Sequence, residues 1–326
     1  MIVSKTPLRI SFFSGGSDTP AFYKREDGAA LSVTIDKFIH VIVRKTPNLP
    51  IKTMFDVVDE SDNIEEMKHI ISRESLKLFN IDSEITIASL SDIFSNGSGL
   101  GSSSAFTVGL VNSLFKINNT DALKETIAKC ACDIEMNRCG YPVGKQDQYA
   151  AAYGGFNLLK FYSDQNVSIE KIHSENIPKL NDNLLLVYSG RGRVGNDFLQ
   201  KQSDAMLNDE KFNRVKQNRD LAFEGIKYIL SGDLDSFGDL LHQSWINKRQ
   251  IVNDITEDYL DNIYNIAKES GAIGGKLLGA GGGGFFVFYV KEDKREEVIH
   301  TLKNKTNCKI FPFKFYDEGT KIMSYE

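Results

Sequence analysis

Residues 97–111 read Gly-Ser-Gly-Leu-Gly-Ser-Ser-Ser-Ala-Phe-Thr-Val-Gly-Leu-Val, small residues running without a break into an apolar segment. That junction predicts a loop feeding a helix N-terminus. Unpaired N–H groups and the positive end of the helix dipole gather there, and glycines let the oxygens of a phosphate approach the backbone. The hydroxyls of Ser102, Ser103 and Ser104 add donors, or a ligand for Mg²⁺ held between phosphates. Taken alone, the stretch fits a flexible loop capping a buried helix equally well. Spacing excludes two familiar phosphate loops. A Walker loop needs GxxxxGK followed by Ser or Thr, and the GK pairs here continue into Gln146 and Leu277. Gly279, Gly281 and Gly284 match GxGxxG, but they precede the strand-like FFVFYV rather than following a strand and opening a helix.

Outward from this loop, strand and helix patterns mix in both halves of the 326 residues. LRISFF and AALSVTIDKFIHVIVRK are rich in β-branched and aromatic residues and read as strands. Residues 62–79 switch to helical spacing, EITIASL is a strand, and TDALKETIAKCACDIEMNR reads as a helix with Thr120 as N-cap. In the second half NLLLVYSG is a strand, 196–231 and 233–270 are helical, and GAIGGKLLGAGGGGFFVFYV reads as a glycine-rich loop joined to a strand. KREEVIHTLKNKT is helical and CKIFPFKF is a last strand. The polar stretch 163–183 suggests a boundary, giving domains of 1–170 and 171–326. Hydrophobic residues at 41% supply ample core, and a formal charge of −5 offers no broad basic face for nucleic acid. Four cysteines cannot make a disulfide scaffold, and Cys130, Cys132 and Cys139 lack zinc-ligand spacing. No stretch approaches the roughly 20 apolar residues of a membrane helix, and the first residues lack a signal-peptide pattern. The expectation is a soluble, cytoplasmic α+β protein without nucleic-acid or membrane partners, for which a homodimer is left open.

Three segments, PLRISFFSGGSD at 7–18, GSGLGSSSAFTVG at 97–109 and KLLGAGGGGFFVF at 276–288, resemble the three ordered motifs of the GHMP kinases, a family that includes galactokinase, homoserine kinase and mevalonate kinase. The resemblance implies a ribosomal-S5-like N-terminal domain, a ferredoxin-like C-terminal domain and an active site between them. Within the family, SGGSDTPAFY, GYPVGKQDQYAAAYGGFN, YSGRGR and HQSWINKR are similar to the branch acting on the 1-hydroxyl of D-glycero-D-manno-heptose 7-phosphate. The implied reaction is ATP-dependent formation of a heptose 1,7-bisphosphate, feeding nucleotide-activated heptose for a surface polysaccharide. The alternatives are a galacto- or fucokinase-type enzyme and a non-catalytic sugar- and nucleotide-binding regulator. One departure stands at Ser95, where the family usually has proline four residues before the GLG.

The resemblance also implies roles. Gly97, Ser98, Gly99, Leu100, Gly101, Ser102, Ser103 and Ser104 would cradle ATP, with Ser103 and Glu135 holding Mg²⁺. Asp147 aligns with the catalytic base and Arg9 with the basic residue beside it. Ser14, Gly15, Gly16 and Asp18 would hold the sugar, and Gly281 and Gly282 would close over it. Arg191, Arg193 and Lys276 would meet the phosphate that the sugar already carries, Arg193 matching the branch better than Arg191. Read singly, Glu135 is a solvated helix residue, Asp147 an N-cap, Arg9 a strand-end arginine and Asp18 an ordinary turn residue. Their joint spacing inside the motifs favours chemistry.

Overall fold

The computed structural model describes residues 1–94, 97–192, 197–252 and 255–324. Its strands are β1 (Ile2–Phe13), β2 (Gly28–Lys45), β3 (Ile51–Met54), β4 (Val58–Ser61), β5 (Ile85–Ser91), β6 (Phe156–Phe161), β7 (Val167–Lys171), β8 (Leu184–Tyr188), β9 (Ala272–Leu277), β10 (Phe285–Val290), β11 (Lys309–Phe311) and β12 (Lys321–Ser324). The helices are α1 (Pro20–Tyr23), α2 (Ile70–Leu78), α3 (Ser102–Ile117), α4 (Lys124–Cys132), α5 (Gln146–Tyr153), α6 (Ile177–Asp182), α7 (Asp197–Ala205), α8 (Asp209–Ser231), α9 (Leu234–Ile251), α10 (Asp258–Glu269) and α11 (Glu292–Lys305).

The first sheet is built on β2. Its far edge pairs with β1, while Gly28–Val33 pair with β6 and Ile39–Lys45 pair with β5 on the other side. One 18-residue strand thus serves two successive neighbours. β1 shows the alternation that fixes the site. Leu8, Ile10 and Phe12 are wholly buried in the core, whereas Arg9 and Ser11 line a cleft on the other face. The second sheet is antiparallel, in the order β11-β8-β10-β9. On it α9, α10 and α11 pack around Trp245, Tyr264, Phe286, Phe288 and Leu302.

A continuous apolar core joins the two sheets. Phe12 and Phe13 of β1 meet Phe237 of α9 edge to face at 5.3 and 5.4 Å, and Phe285 and Val287 of β10 belong to the same cluster. The C-terminal segment reinforces this: β12 pairs with β1, and Phe315 bridges to Ile35. A division at 170 is our proposal for the domain boundary, with this last strand crossing back over it.

Several elements differ from the sequence reading, among them the helical stretch expected over 62–79, of which only a 3₁₀ turn at Ile64–Glu66 and α2 are helical. AIGGKL is a strand, β9, because Gly274 and Gly275 leave room for α9 and for the Phe288 ring to press against its backbone. The helix expected from Thr120 starts at Lys124, since Thr120 is used to close α3, its N–H donating to the Phe115 carbonyl at 2.9 Å. Its last turn, Asp133–Arg138, widens into a π-helix. The short β3, β4, β7 and β12 carry no alternation long enough to read.

The shared core yields a stability test. Phe12→Ala should cost about 3–5 kcal/mol, the usual range for a buried Phe truncation, read from urea unfolding midpoints. A loss under about 1 kcal/mol would contradict a core continuous between the halves.

Candidate active site

α3 opens at Gly101, which takes a left-handed conformation (φ 76°) and supplies no side-chain cap. Its first N–H groups therefore face the cleft beside Ser102, Ser103 and Ser104. Gly99 is required for a different reason. A Cβ there would sit 2.5 Å from the Leu278 carbonyl oxygen, so the loop at 97–101 lies directly on the backbone of the third glycine-rich segment. The Phe285 N–H donates to the Ser98 carbonyl at 3.0 Å and fixes that contact. Ser98 and Ser102 share a hydroxyl hydrogen bond of 2.8 Å, and Leu100 is buried under the loop.

Arg9 enters the same cleft from β1. Its Nε donates to Asp147 Oδ1 at 2.8 Å and its Nη2 to Oδ2 at 2.7 Å, a bidentate pair. Nη1 donates to the Gly99 carbonyl at 2.6 Å. Asp147 stands in the first turn of α5, its side chain 25% exposed to the cleft against 5% for Arg9. On the other side of Asp147 lies Asp18, whose carboxylate accepts from Ser14 Oγ at 3.1 Å and from the Gln146 N–H at 3.3 Å. Burial, and then the nearby Asp147 charge, push the Asp18 carboxyl up to about 6.

Glu135 sits in the π turn and is 1% exposed. It accepts from Ser103 Oγ at 3.1 Å, Ser104 Oγ at 2.8 Å, Thr107 Oγ1 at 2.9 Å and the Gln148 amide. Burial raises its carboxyl above the usual range, while those donors pull the other way. Among the described residues no group of three or more His, Cys, Asp or Glu gathers as a cation site. One carboxylate with an adjoining exposed serine hydroxyl nevertheless suits Mg²⁺, which takes few protein ligands and completes its shell with phosphates and water. All four lone-pair directions of Glu135 are filled, so a metal would require Ser103, the exposed donor, to turn its proton away.

Arg9, Ser14, Gly15, Gly16, Asp18, Gly97, Ser98, Gly99, Ser102, Ser103, Ser104, Glu135 and Asp147 thus line one cleft with Lys276. Lys276 is turned to protein groups, donating to the Phe12 carbonyl at 2.6 Å and Ser244 Oγ at 3.3 Å. Gly281 and Gly282 pack against Ile255 and Phe198 behind the cleft wall. Arg191 is exposed, its guanidinium 5.0 Å over the Tyr259 ring. Arg193 and Ser95 lie outside the described residues.

Sequence reading missed Thr107, Gln148, Lys248, Gln202 and Asn218, which also meet this site. Helical spacing could have found Thr107, four residues past Ser103. Gln148 and Lys248 lie inside the segments GYPVGKQDQYAAAYGGFN and HQSWINKR, which gave them no role, and nothing in sequence singles out Gln202 or Asn218. A larger cleft of about 1180 Å³ lies elsewhere, among Asp235, Lys291 and Arg295, but their polar groups are turned to backbone carbonyls and one another. The smaller cleft carries the convergent chemistry.

The description "GHMP kinases N terminal domain" matches residues 63–155, and "GHMP kinases C terminal" matches 226–307. A D-glycero-alpha-D-manno-heptose 7-phosphate kinase of Campylobacter jejuni is 31% identical over 98% of both chains. The chain belongs to the GHMP kinase family. Its fold is that of a D-glycero-D-manno-heptose 1-phosphate kinase from Bacteroides thetaiotaomicron (TM-score 0.81, 22% identity, 100% of both chains). It is also that of Lactococcus lactis galactokinase with galactose (TM-score 0.74, 16% identity, 98% of this chain and 94% of that one). This GHMP kinase is a sugar kinase, a phosphotransferase with an alcohol acceptor, and uses ATP. No described helix is long and apolar enough to cross a membrane.

Lys276 gives the site a pH signature. Burial, and then the Arg9 cation, push its ammonium down to about 7 from the ordinary 10.5. Between those values the unfolded chain holds the proton and the folded one does not, so this group's contribution to stability rises with pH across the window. Lys276→Met should therefore gain most over wild type near pH 6, and the gain should shrink by about pH 9.5. A difference in melting temperature that is flat with pH would contradict a buried, titrating Lys276.

Proposed function

We propose that this sugar kinase phosphorylates the anomeric 1-hydroxyl of D-glycero-D-manno-heptose 7-phosphate, giving the 1,7-bisphosphate. The observation carrying this reading is the Arg9–Asp147 pair, set between the open N-terminus of α3 and the Ser14–Asp18 turn in one cleft. The full-length similarity to a heptose 7-phosphate kinase supports the choice of sugar.

On this reading the loop at 97–104 binds the ATP phosphates through backbone N–H groups and serine hydroxyls. Asp18 and Ser14 accept and donate hydrogen bonds to sugar hydroxyls, turning the 1-hydroxyl toward Asp147. Asp147 takes the hydroxyl proton as the acceptor oxygen bonds to the γ-phosphorus. The bond from that phosphorus to the bridging oxygen breaks, and ADP leaves. Arg9 holds both Asp147 oxygens in place and puts positive charge beside the transfer. Glu135 and Ser103 would hold Mg²⁺, which neutralises phosphate charge when bound.

The substrate's own phosphate is assigned to Arg193, with Arg191 as a lesser contributor; Lys276, whose ammonium is turned to Phe12 and Ser244, is not given this task. A charge-assisted pair contributes roughly 1.5–3 kcal/mol, or about 10- to 100-fold in binding. An ADP-release assay should show wild type favouring heptose 7-phosphate over the dephosphorylated heptose, galactose and fucose. Arg193→Ala should lose most of the preference for the phosphorylated heptose, with KM for ATP little changed. Faster turnover of galactose or fucose by wild type would refute the heptose reading in favour of an unphosphorylated sugar.

A further inference from the structure

Helix α8 carries an amide into an otherwise apolar face. Val215, Leu221, Ala222 and Gly225 are buried at helical spacing around Asn218, which is itself wholly buried. Among the described residues neither its Nδ2 nor its Oδ1 has a hydrogen-bond partner. Leaving such groups buried and unpaired is costly, and a leucine of nearly the same size would carry no such cost. The position is therefore poor for folding and calls for a partner that the described residues do not supply.

Its surroundings say what that partner is. Asn218 lines the cleft with Ser14, Asp18 and Asp147. Gly15 lets it approach, because a Cβ there would lie 2.7 Å from Asn218 Cβ and 3.1 Å from Nδ2. From α7, Gln202 donates to the Gly15 carbonyl at 2.7 Å and covers the same turn. The enclosed space of about 210 Å³ is below the roughly 300–1,000 Å³ of small-molecule pockets, so its walls must separate to admit acceptor and nucleotide together. The Ser14–Asp18 turn is the part of the wall that lies against the Asn218 amide, at Gly15.

We propose that Asn218 is a specificity-determining residue that reads two neighbouring hydroxyls of the acceptor, Nδ2 donating to one and Oδ1 accepting from the other. A neutral carboxamide offers one donor edge and one acceptor edge, which matches a diol and gives nothing special to a phosphate or an apolar group. The occupant is thus the polyhydroxylated part of the sugar, on the side of Asp18 away from the phosphate loop. Removing the amide should weaken the sugar while sparing ATP, because a site built to hydrogen-bond hydroxyls discriminates through them.

This inference rests on the sugar-kinase reading but not on which sugar is used. The test takes whichever of heptose 7-phosphate, galactose or fucose wild type turns over fastest, and compares Asn218→Leu and Asn218→Ala with it. Both variants should raise the sugar KM tenfold or more and leave the ATP KM within twofold. Ligand-free Asn218→Leu should melt at or above the wild-type temperature, since it removes two unsatisfied atoms. A sugar KM within twofold of wild type in either folded variant would overturn the proposal. So would a lower melting temperature accompanied by equal rises in both KM values, the mark of a purely structural residue. Should Asn218→Leu not fold, Asn218→Ala decides by the same KM split. The identity of the preferred sugar bears only on the heptose reading.

Discussion

The site is organised by one buried guanidinium. Arg9 is almost wholly removed from water, and a charge so placed is tolerated only where its donors are satisfied. Its acceptors come from two elements distant in sequence: both oxygens of Asp147 on α5, and the Gly99 carbonyl of the phosphate loop. The Arg9 N–H adds a bond to the Leu100 carbonyl at 3.0 Å. Strand, loop and helix are thereby locked in one arrangement. Because Gly99 also rests on the backbone at Leu278, the second half of the chain is held in register with the first.

The two other acidic side chains of the cleft are buried by different means. Among the described residues Glu135 has no ion-pair partner and is held by three hydroxyls and an amide, which leaves its charge for a positive ion to meet. Asp18 has a serine and a backbone N–H, and lies near enough to Asp147 to be discouraged from ionising. Three carboxylates with three environments allow three tasks on our reading: metal, base and sugar.

Much of this was legible in sequence because it lies in short local patterns. The L-R-I-S-F alternation of β1 turns Arg9 and Ser11 away from the core, and the glycine–serine run opening α3 announces its own geometry. The strand AIGGKL was hidden because its two glycines reflect what packs on it, not a turn. Thr120 resembles an N-cap but its backbone N–H closes the preceding helix. Asn218 and Gln202 could not be read, since their meaning comes from a turn about 200 residues earlier that folding brings alongside. Lys276 was foreseen in the cleft, but the carbonyl of Phe12 that holds it is a tertiary fact.

The central claim is that Arg9 and Asp147 act as one catalytic unit. A double-mutant cycle in kcat with Arg9→Met, Asp147→Asn and the pair measures this directly. Each single change should lower kcat by about 100-fold or more, on the scale of a general base. The double variant should be scarcely slower than the worse single one, because residues that work as a unit are lost together. Losses that multiply in full, as for independent residues, would contradict the account.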